Sequence, residues 1–347
     1  MKTITHEQSE LITEARAEGR APLPARMLEK DLMICEALRA IGARRIEGVS
    51  LTFSGGTCLA KAHKLLERMS EDVDLRVTVT EPSAETRSGA RRYLSELKTE
   101  ITCAMRAADF FLPDRAIRGR NENQFMAFEL EYASCYEPEK ALRPSLRIEF
   151  MSIPPRLPTT TCTIRPLIDE WTGQTTAEPV TLECLSVEET YCEKVIAYLR
   201  RATEYLLARE YYQYDRRVAR HVYDVHRIIT LRYPRAMESP PAKLFAEILM
   251  AETVQYGTRD ANFARNPVEA LKKTLARVAE LDEFRQHYDH FARTLIYSAE
   301  KPTFVQTFLT FRATALALLD GCRHYVSELK MPTAPKAQAG DAVHWGA

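Results

Sequence analysis

The sequence predicts an α+β fold, in which a mixed sheet with flanking helices is followed by a C-terminal helical bundle. The stretch from Leu51 to Val77 contains a short apolar run, a glycine turn, a helical pattern and a run of period two. Residues 125–133 and 145–153 alternate apolar and polar side chains, as strands do. From Leu185 onward, apolar residues recur at the three- and four-residue spacing of helices.

These patterns divide the chain into four segments. We predict that residues 1–24 form a charged N-terminal helical segment that ends at its prolines, and that residues 25–180 form the sheet-containing core. Residues 181–330 predict a helical domain that closes the cleft of that core. Residues 154–180 are rich in Pro and Thr, which predicts irregular chain at the boundary. Residues 331–347 predict a disordered tail.

Composition narrows the class of protein. Lys and Arg total 48, as do Asp and Glu, so the formal net charge is zero and bulk charge gives no argument for nucleic-acid binding. The eight cysteines include no CxxC pair, which predicts reduced thiols. No apolar run approaches the roughly 18 residues of a membrane span, and the charged start is unlike a secretion signal. We therefore expect a cytoplasmic protein with no membrane partner.

The core segment begins with a helix that faces the interior. Its apolar residues recur at helical spacing from Leu28 to Ile41. Glu29, Lys30 and Asp31 lie at its start, and residues of these types usually form a solvated turn. A nucleotide contact by Lys30 is the alternative.

The chemistry is concentrated between Leu51 and Val77. Residues two apart on a strand point to the same side, so Asp72 and Asp74 converge. Two close carboxylates need a counter-charge, and a divalent metal is the usual one. Gly55 and Gly56, just before a helix, leave backbone N–H groups available for phosphate oxygens. Together these features predict phosphoryl or nucleotidyl transfer, against the alternative of an ordinary turn and solvated carboxylates.

Four motifs resemble those of a known family. GGTCLAKAHKLLERMSEDVDL, from Gly55 to Leu75, resembles the signature of the AbiEii/AbiGii-type nucleotidyltransferase toxins, which include the MenT-like toxins. These toxins belong to the DNA polymerase β-like nucleotidyltransferase superfamily. EKD at 29–31, TYCEK at 190–194 and RHVYDV at 220–225 follow the order typical of the family. The resemblance covers about residues 25–230 and implies a polymerase β-like core.

The resemblance implies further site residues. Glu149, on a neighbouring strand, would join Asp72 and Asp74 as a catalytic carboxylate and as a ligand of Mg²⁺ or Mn²⁺. Lys194 would offset triphosphate charge, and Asp224 would belong to the same active site. The residues implied in binding the nucleotide phosphates are Gly55, Gly56, Thr57, Ser70 and Lys194. As alternatives, Glu149 is an edge-strand residue, Lys194 a surface lysine, and Asp224 a structural partner of Arg220.

The acceptor is less well defined. Arg216, Arg217 and Arg220 follow Tyr211, Tyr212 and Tyr214 closely. Basic and aromatic residues interleaved in this way suit RNA, and they equally suit a helix that packs its tyrosines and exposes its arginines. The two interpretations stay open.

The resemblance implies transfer of NMP from an NTP (ATP, GTP or CTP) to an acceptor, for which a tRNA 3′ end is one candidate. It also implies the toxin of a toxin–antitoxin or phage-defence (abortive infection) system, with an antitoxin encoded nearby. Two alternatives remain. One is the same fold acting on a small molecule or a protein, and the other is a non-catalytic nucleotide-binding module.

Overall fold

The structure is a computed structural model, and it describes residues 1–80, 86–207, 215–233, 239–256 and 261–329. The chain divides into two compact units. Unit 1 contains Met1–Val187 and Leu295–Ala299, and unit 2 contains Glu188–Thr294 and the chain from Glu300 onward. Residues 1–24, which we predicted as a separate segment, are therefore counted within unit 1. The predicted tail, 331–347, lies outside the described residues.

Unit 1 is built on one mixed sheet. Its strands are β1 (Val49–Ser54), β2 (Asp72–Val79), β3 (Ile117–Arg120), β4 (Phe125–Leu130), β5 (Leu146–Met151), β6 (Thr160–Ile164) and β7 (Val180–Cys184). They lie in the order β3-β4-β5-β2-β1-β7-β6. The pairs β2–β5 and β1–β7 are parallel, and the other neighbours are antiparallel. The α+β prediction, with a mixed sheet and flanking helices, is thus confirmed.

Helices complete both units. Those of unit 1 are α1 (His6–Ala17), α2 (Ala25–Gly42), α3 (Gly55–Lys61), α4 (Arg87–Ala107) and α5 (Leu167–Thr172). The helices of unit 2 are α6 (Val187–Leu207), α7 (Arg220–Leu231), α8 (Ala242–Tyr256), α9 (Ala261–Arg265), α10 (Pro267–Glu280), α11 (Asp282–Leu295), α12 (Phe304–Gly321) and α13 (Arg323–Glu328). The first residue of α6 and the last residue of α11 belong to unit 1. None of the helices in the described ranges is long and apolar enough to cross a membrane.

The two faces of the central strands differ in polarity. Along β5 the odd-numbered residues are half-buried, whereas Leu146, Ile148 and Phe150 are buried. These residues join one apolar cluster with Val73 and Leu75 of β2 and with residues of α2 and α4. The alternation follows from the pleat, which points successive side chains to opposite faces. The core therefore occupies one face and leaves the polar residues of β2 and β5 on the other.

The prediction of irregular chain over 154–180 was wrong. This segment contains β6 and α5, and β7 begins at its end. β6 pairs antiparallel with β7, and β7 pairs with β1 through Phe53 and Cys184. Four of the five β6 residues are exposed or half-buried, so the local sequence lacks the apolar alternation that marked the other strands. Pairing of β6 with β7, and of β7 with the distant β1, makes this segment part of the sheet.

The glycine-motif helix is also shorter than its apolar pattern suggested. α3 ends at Lys61, and Lys64 has a positive φ of 57°, which interrupts the helical path. Leu65 and Leu66 are nevertheless buried. A distant segment supports the chain that follows: the Met69 N–H donates to the Leu295 carbonyl at 2.8 Å. The apolar spacing thus marked burial correctly but not helical structure.

We predict that Phe150→Ala lowers the free energy of unfolding by about 3–5 kcal/mol, because it removes a fully buried ring from the core. The ring lies edge-on to Phe128, with 5.5 Å between centroids. Phe111→Ala is the matched control, since that ring is 45% exposed, and its cost should stay below about 1 kcal/mol. Urea unfolding measures both. Equal costs for the two variants would contradict this account of the core.

Candidate active site

The register of two parallel strands brings the predicted carboxylates to one face. On β2 and β5, Asp74 lies opposite Glu149 and Asp72 lies opposite Arg147. The intervening Val73 is fully buried, so the carboxylates belong to the face that points away from the core. Three acidic side chains thus come from adjacent strands, although Asp74 and Glu149 are far apart in the sequence.

Arginines accompany two of these carboxylates. Arg143 Nη1 lies 2.5 Å from Asp72 Oδ1, and Arg147 Nη2 lies 2.6 Å from Glu149 Oε1. Such charge-assisted hydrogen bonds offset the repulsion between neighbouring carboxylates. Among the described residues, no group of three His, Cys, Asp or Glu side chains is arranged to hold a metal ion. The donor oxygens are of the type that Mg²⁺ prefers, but two of the carboxylates bind guanidinium groups.

Gly55 makes room for the third carboxylate. Its φ is +76°, and a Cβ at this position would lie 2.1 Å from Asp74 Oδ2. The Ser54 hydroxyl donates to the Asp74 carbonyl oxygen at 3.1 Å, which ties the end of β1 to β2. The first glycine of the motif therefore combines a left-handed backbone with close approach to a site carboxylate.

The remaining residues of the glycine motif form a compact group. A Cβ on Gly56 would lie 2.5 Å from Arg68 Nη2 and 3.1 Å from Ser70 Oγ. The Thr57 hydroxyl lies 2.9 Å from Ser70 Oγ and also hydrogen-bonds the main-chain oxygen of Asp72. The predicted phosphate-binding residues Gly56, Thr57 and Ser70 are thus neighbours, and Arg68 lies among them.

In unit 2, Lys194 and Asp224 form a buried ion pair. Lys194 of α6 and Asp224 of α7 are joined by an Nζ–Oδ2 distance of 2.8 Å, with side chains 7% and 0% exposed. The family resemblance already implied that Asp224 lies near Lys194, and the structure shows the two side chains in direct contact. Because burying two charges is costly, each needs the other within unit 2.

The acceptor-binding residues differ in exposure. Arg216 is exposed on a 3-10 helix, whereas Arg217 and Arg220 are half-buried. The Arg217 guanidinium donates to Asp215 Oδ1 at 2.9 Å. The tyrosines that suggested RNA binding, at 211, 212 and 214, lie outside the described residues.

Comparison with known proteins identifies the family. Residues 36–310 match the profile of the family described as "Nucleotidyl transferase AbiEii toxin, Type IV TA system". The chain belongs to the AbiEii nucleotidyltransferase toxin family. This confirms the resemblance and shows that the protein is a nucleotidyltransferase toxin of a type IV toxin–antitoxin system. Membership implies an NTP substrate and a cognate antitoxin.

Comparison with solved structures finds a protein that shares the fold. MenT4, a nucleotidyltransferase toxin from Mycobacterium tuberculosis, is 16% identical with a TM-score of 0.50, and the match covers 92% of this chain and 97% of MenT4. A nucleotidyltransferase candidate from H. pylori is 13% identical with a TM-score of 0.40, covering 89% and 99% of the two chains. None of the curated protein sequences matches this AbiEii chain. At these identities, the likeness to MenT4 shows a shared fold.

The EKD motif of this AbiEii protein is buried, so the expectation of a solvated turn was wrong. Glu29, Lys30 and Asp31 are 0%, 0% and 3% exposed on α2. Asp31 Oδ1 binds Lys61 Nζ at 2.5 Å, and Asp31 Oδ2 accepts from the Leu167 N–H at 2.7 Å. Burial lowers the pKa of Lys61, but Asp31 outweighs it and holds that pKa above its ordinary value. The motif therefore anchors α2 from within.

Lys30 reaches the polar face through protein partners. Its Nζ lies 2.5 Å from Glu71 Oε2 and 2.7 Å from the Arg143 carbonyl oxygen. Burial lowers the pKa of Lys30, while the adjacent Glu71 opposes that shift. The ammonium group is therefore committed to partners inside unit 1.

Sequence reasoning missed the arginines of the site. Arg147 carried a readable signal, because it is two residues from Glu149 on a strand of period two and so shares its face. Arg68 and Arg143 lie in irregular chain, where spacing does not predict direction. Only the folded arrangement brings Arg68 against Gly56 and Arg143 against Asp72.

We predict that Gly55→Ala lowers the transfer rate by about 100-fold, because the added Cβ must displace the Asp74 carboxylate. Gly173→Ala is the matched control. Gly173 also has a positive φ, +73°, but its added Cβ would meet nothing within 4 Å. Backbone strain of about 1–2 kcal/mol is common to both variants. Turnover and thermal unfolding should be measured together. Equal activity in the two variants would show that strain alone matters at Gly55.

Proposed function

We propose that the protein transfers NMP from an NTP to an acceptor at the carboxylate face of unit 1, with release of pyrophosphate. The observation that carries this proposal is the β2–β5 register, which aligns Asp74 with Glu149 beside Asp72. In-line nucleotidyl transfer needs little covalent chemistry from the protein, but it needs anionic groups to be positioned and neutralised. A face of converging carboxylates next to a glycine motif suits that task.

The proposed cofactor is Mg²⁺ or Mn²⁺, held by Asp72, Asp74 and Glu149. Hard cations prefer oxygen ligands, and these carboxylates supply them from two adjacent strands. When bound, such a cation would neutralise triphosphate charge and orient the donor. Since Arg143 and Arg147 contact two of the carboxylates, cation binding requires these guanidinium groups to move.

Residues of the protein itself would bind the phosphates and accept the proton of the acceptor. Gly55, Gly56, Thr57 and Ser70 would bind the phosphates, and the guanidinium of Arg68 beside Gly56 adds a positive charge to that group. The Glu149 carboxylate would accept the proton from the attacking hydroxyl of the acceptor.

Lys194 would offset the charge that develops on the leaving pyrophosphate. Its role rests on the family motif and on the buried pair with Asp224, which holds the ammonium group in one orientation. We assign Asp224 to positioning that lysine.

For the acceptor we propose RNA, with the tRNA 3′ end as the first candidate. Exposed Arg216 supports this choice, as does the nearby arginine–tyrosine sequence. The zero net charge supports a small-molecule or protein acceptor instead, because it supplies no general attraction for nucleic acid.

The central experiment is incubation of the purified protein with Mg²⁺ or Mn²⁺, each labelled NTP and total tRNA. We predict label in the RNA fraction with one preferred NTP, and a loss of about 1,000-fold or more in Asp72→Asn. Asp114→Asn is the matched control, because that carboxylate is 93% exposed and contacts Arg106 at the surface.

The fraction that carries the label distinguishes the acceptors. Label in protein or in small molecules would replace the RNA acceptor and keep the transferase. If Asp72→Asn and Asp114→Asn labelled equally well, the assignment of the active site would be wrong.

We predict that Lys194→Met alone destabilises the protein by about 3–5 kcal/mol, because it removes the lysine that binds a fully buried carboxylate. The double variant Lys194→Met/Asp224→Asn should recover most of this stability but none of the transfer activity. Urea unfolding and transfer rates measure the two effects separately.

The control for that pair is Arg200→Met/Glu252→Gln. It removes another ion pair of unit 2, with an Nε–Oε2 distance of 2.8 Å and side chains 8% and 26% exposed, and with it the contact of Arg200 with Glu204. Its activity per folded molecule should match that of the unchanged protein. Full activity in the Lys194/Asp224 double variant would make that pair purely structural.

A further inference from the structure

A continuous chain of contacts runs from α2 to the carboxylate face. It begins at Lys30, passes through Glu71 to Arg143, and ends at Asp72. The four residues come from a helix, from the turn before β2, from the chain before β5 and from β2 itself. The contacts therefore connect elements that meet only in the folded unit.

Lys30 and Glu71 hold the main chain of Arg143 at both of its polar groups. The Arg143 carbonyl oxygen accepts from Lys30 Nζ at 2.7 Å, and the Arg143 N–H donates to Glu71 Oε2 at 3.0 Å. Lys30 and Glu71 also bind each other at 2.5 Å. Because Arg143 lies outside regular structure, these bonds fix the point from which its side chain extends.

The side chain of Arg143 then reaches the site. Its Nη1 lies 2.5 Å from Asp72 Oδ1, the carboxylate proposed to bind the cation. Exposure increases along the chain of contacts, from 0% for the Lys30 side chain to 23% for that of Arg143. The Lys30 end is thus buried, whereas the end at Asp72, whose side chain is 15% exposed, is half-buried.

Arg143 and a divalent cation would compete for the Asp72 carboxylate, since Arg143 already binds its Oδ1. A guanidinium on Asp72 also places a positive charge within a few ångströms of an incoming cation, and like charges at that distance repel strongly. An arginine whose main chain is already held competes better than one on a mobile segment, because less conformational freedom is lost when its side chain binds.

We infer that Lys30 and Glu71 are positioning residues that hold Arg143 on Asp72, and that Arg143 thereby sets how tightly the carboxylate face binds a divalent cation. This inference rests on the proposed function, in which Asp72 is a cation ligand. It assigns to the buried EKD lysine a function at the site, beyond its part in the packing of α2.

A purely structural role for Lys30 is the competing explanation, and the neighbouring pair provides the control. Lys61 and Asp31 are as deeply buried, also involve α2, and also hold a main-chain group, the N–H of Leu167. Removing either lysine together with its carboxylate leaves the local net charge unchanged. A double variant of Lys30 and Glu71 therefore differs from one of Lys61 and Asp31 mainly in that only the first pair contacts Arg143.

The experiment is a titration of the purified full chain with Mn²⁺ alone. Binding is monitored by calorimetry or by the electron paramagnetic resonance signal of free Mn²⁺. We expect Arg143→Gln to tighten Mn²⁺ binding by at least about tenfold. Lys30→Met/Glu71→Gln should tighten it several-fold, and Arg143→Lys, which keeps the charge, should stay near the unchanged protein. Lys61→Met/Asp31→Asn should stay within about twofold.

Combination of the variants tests positioning directly. If Lys30 and Glu71 act through Arg143, adding Lys30→Met/Glu71→Gln to Arg143→Gln should change the affinity no further. A merely structural pair would add its own effect. Unchanged or weaker binding in Arg143→Gln would overturn the inference, and so would a control pair that shifts the affinity as much as the Lys30 pair.

The Asp72→Asn variant distinguishes a failure of the inference about Arg143 from a failure of the proposed metal site. If it weakens Mn²⁺ binding while Arg143→Gln has no effect, the inference about Arg143 fails and the proposed metal site stands. If Asp72→Asn leaves Mn²⁺ binding unchanged, the proposed metal site fails, and the inference fails with it.

Discussion

The parallel pairing of β2 with β5 is the constraint on which the site depends. It aligns Asp74 with Glu149, and the same pairing sends Val73 and Ile148 into the core. A shift of one residue would reverse both faces at once, burying carboxylates and exposing apolar side chains. The hydrophobic effect therefore enforces the register, and the geometry of the site follows from the packing of the opposite face.

Charge is organised locally in a chain whose net charge is zero. Carboxylates that share a face with one another also contact arginines. The lysines of the Lys30–Glu71 and Lys61–Asp31 pairs are buried, as is Asp31, whereas Glu71 is half-buried. Buried ion pairs contribute little net stability, because desolvation offsets most of their attraction. Their value lies in orientation, since each partner can satisfy its charge in only a few arrangements. In this protein such pairs connect the interior of unit 1 to the polar ends of its strands.

The structure also gives a physical reason for the two glycines of the motif. Both glycines allow a close approach that a Cβ would prevent, Gly55 to the Asp74 carboxylate and Gly56 to the Arg68 guanidinium. Membership of the AbiEii family makes the chain a nucleotidyltransferase toxin, and these approaches show how its signature residues depend on one another.

Local patterns were sufficient to predict the α+β fold class and the strands β1, β2, β4 and β5. They also indicated the candidate carboxylates Asp72, Asp74 and Glu149. Period-two alternation and family motifs both occupy short stretches of sequence, so no distant contact is needed to recognise them. They were insufficient for β6 and β7, for the end of α3 and for the burial of EKD. Pairing between distant strands, packing of Leu295–Ala299 beside residues 67–69, and partners such as Glu71 for Lys30 all depend on contacts far apart in the chain. The sequence by itself determined the fold class and the candidate carboxylates, because both are encoded in short local patterns. Only the tertiary structure decided which charges meet, because a side chain's partners depend on the elements that fold against it.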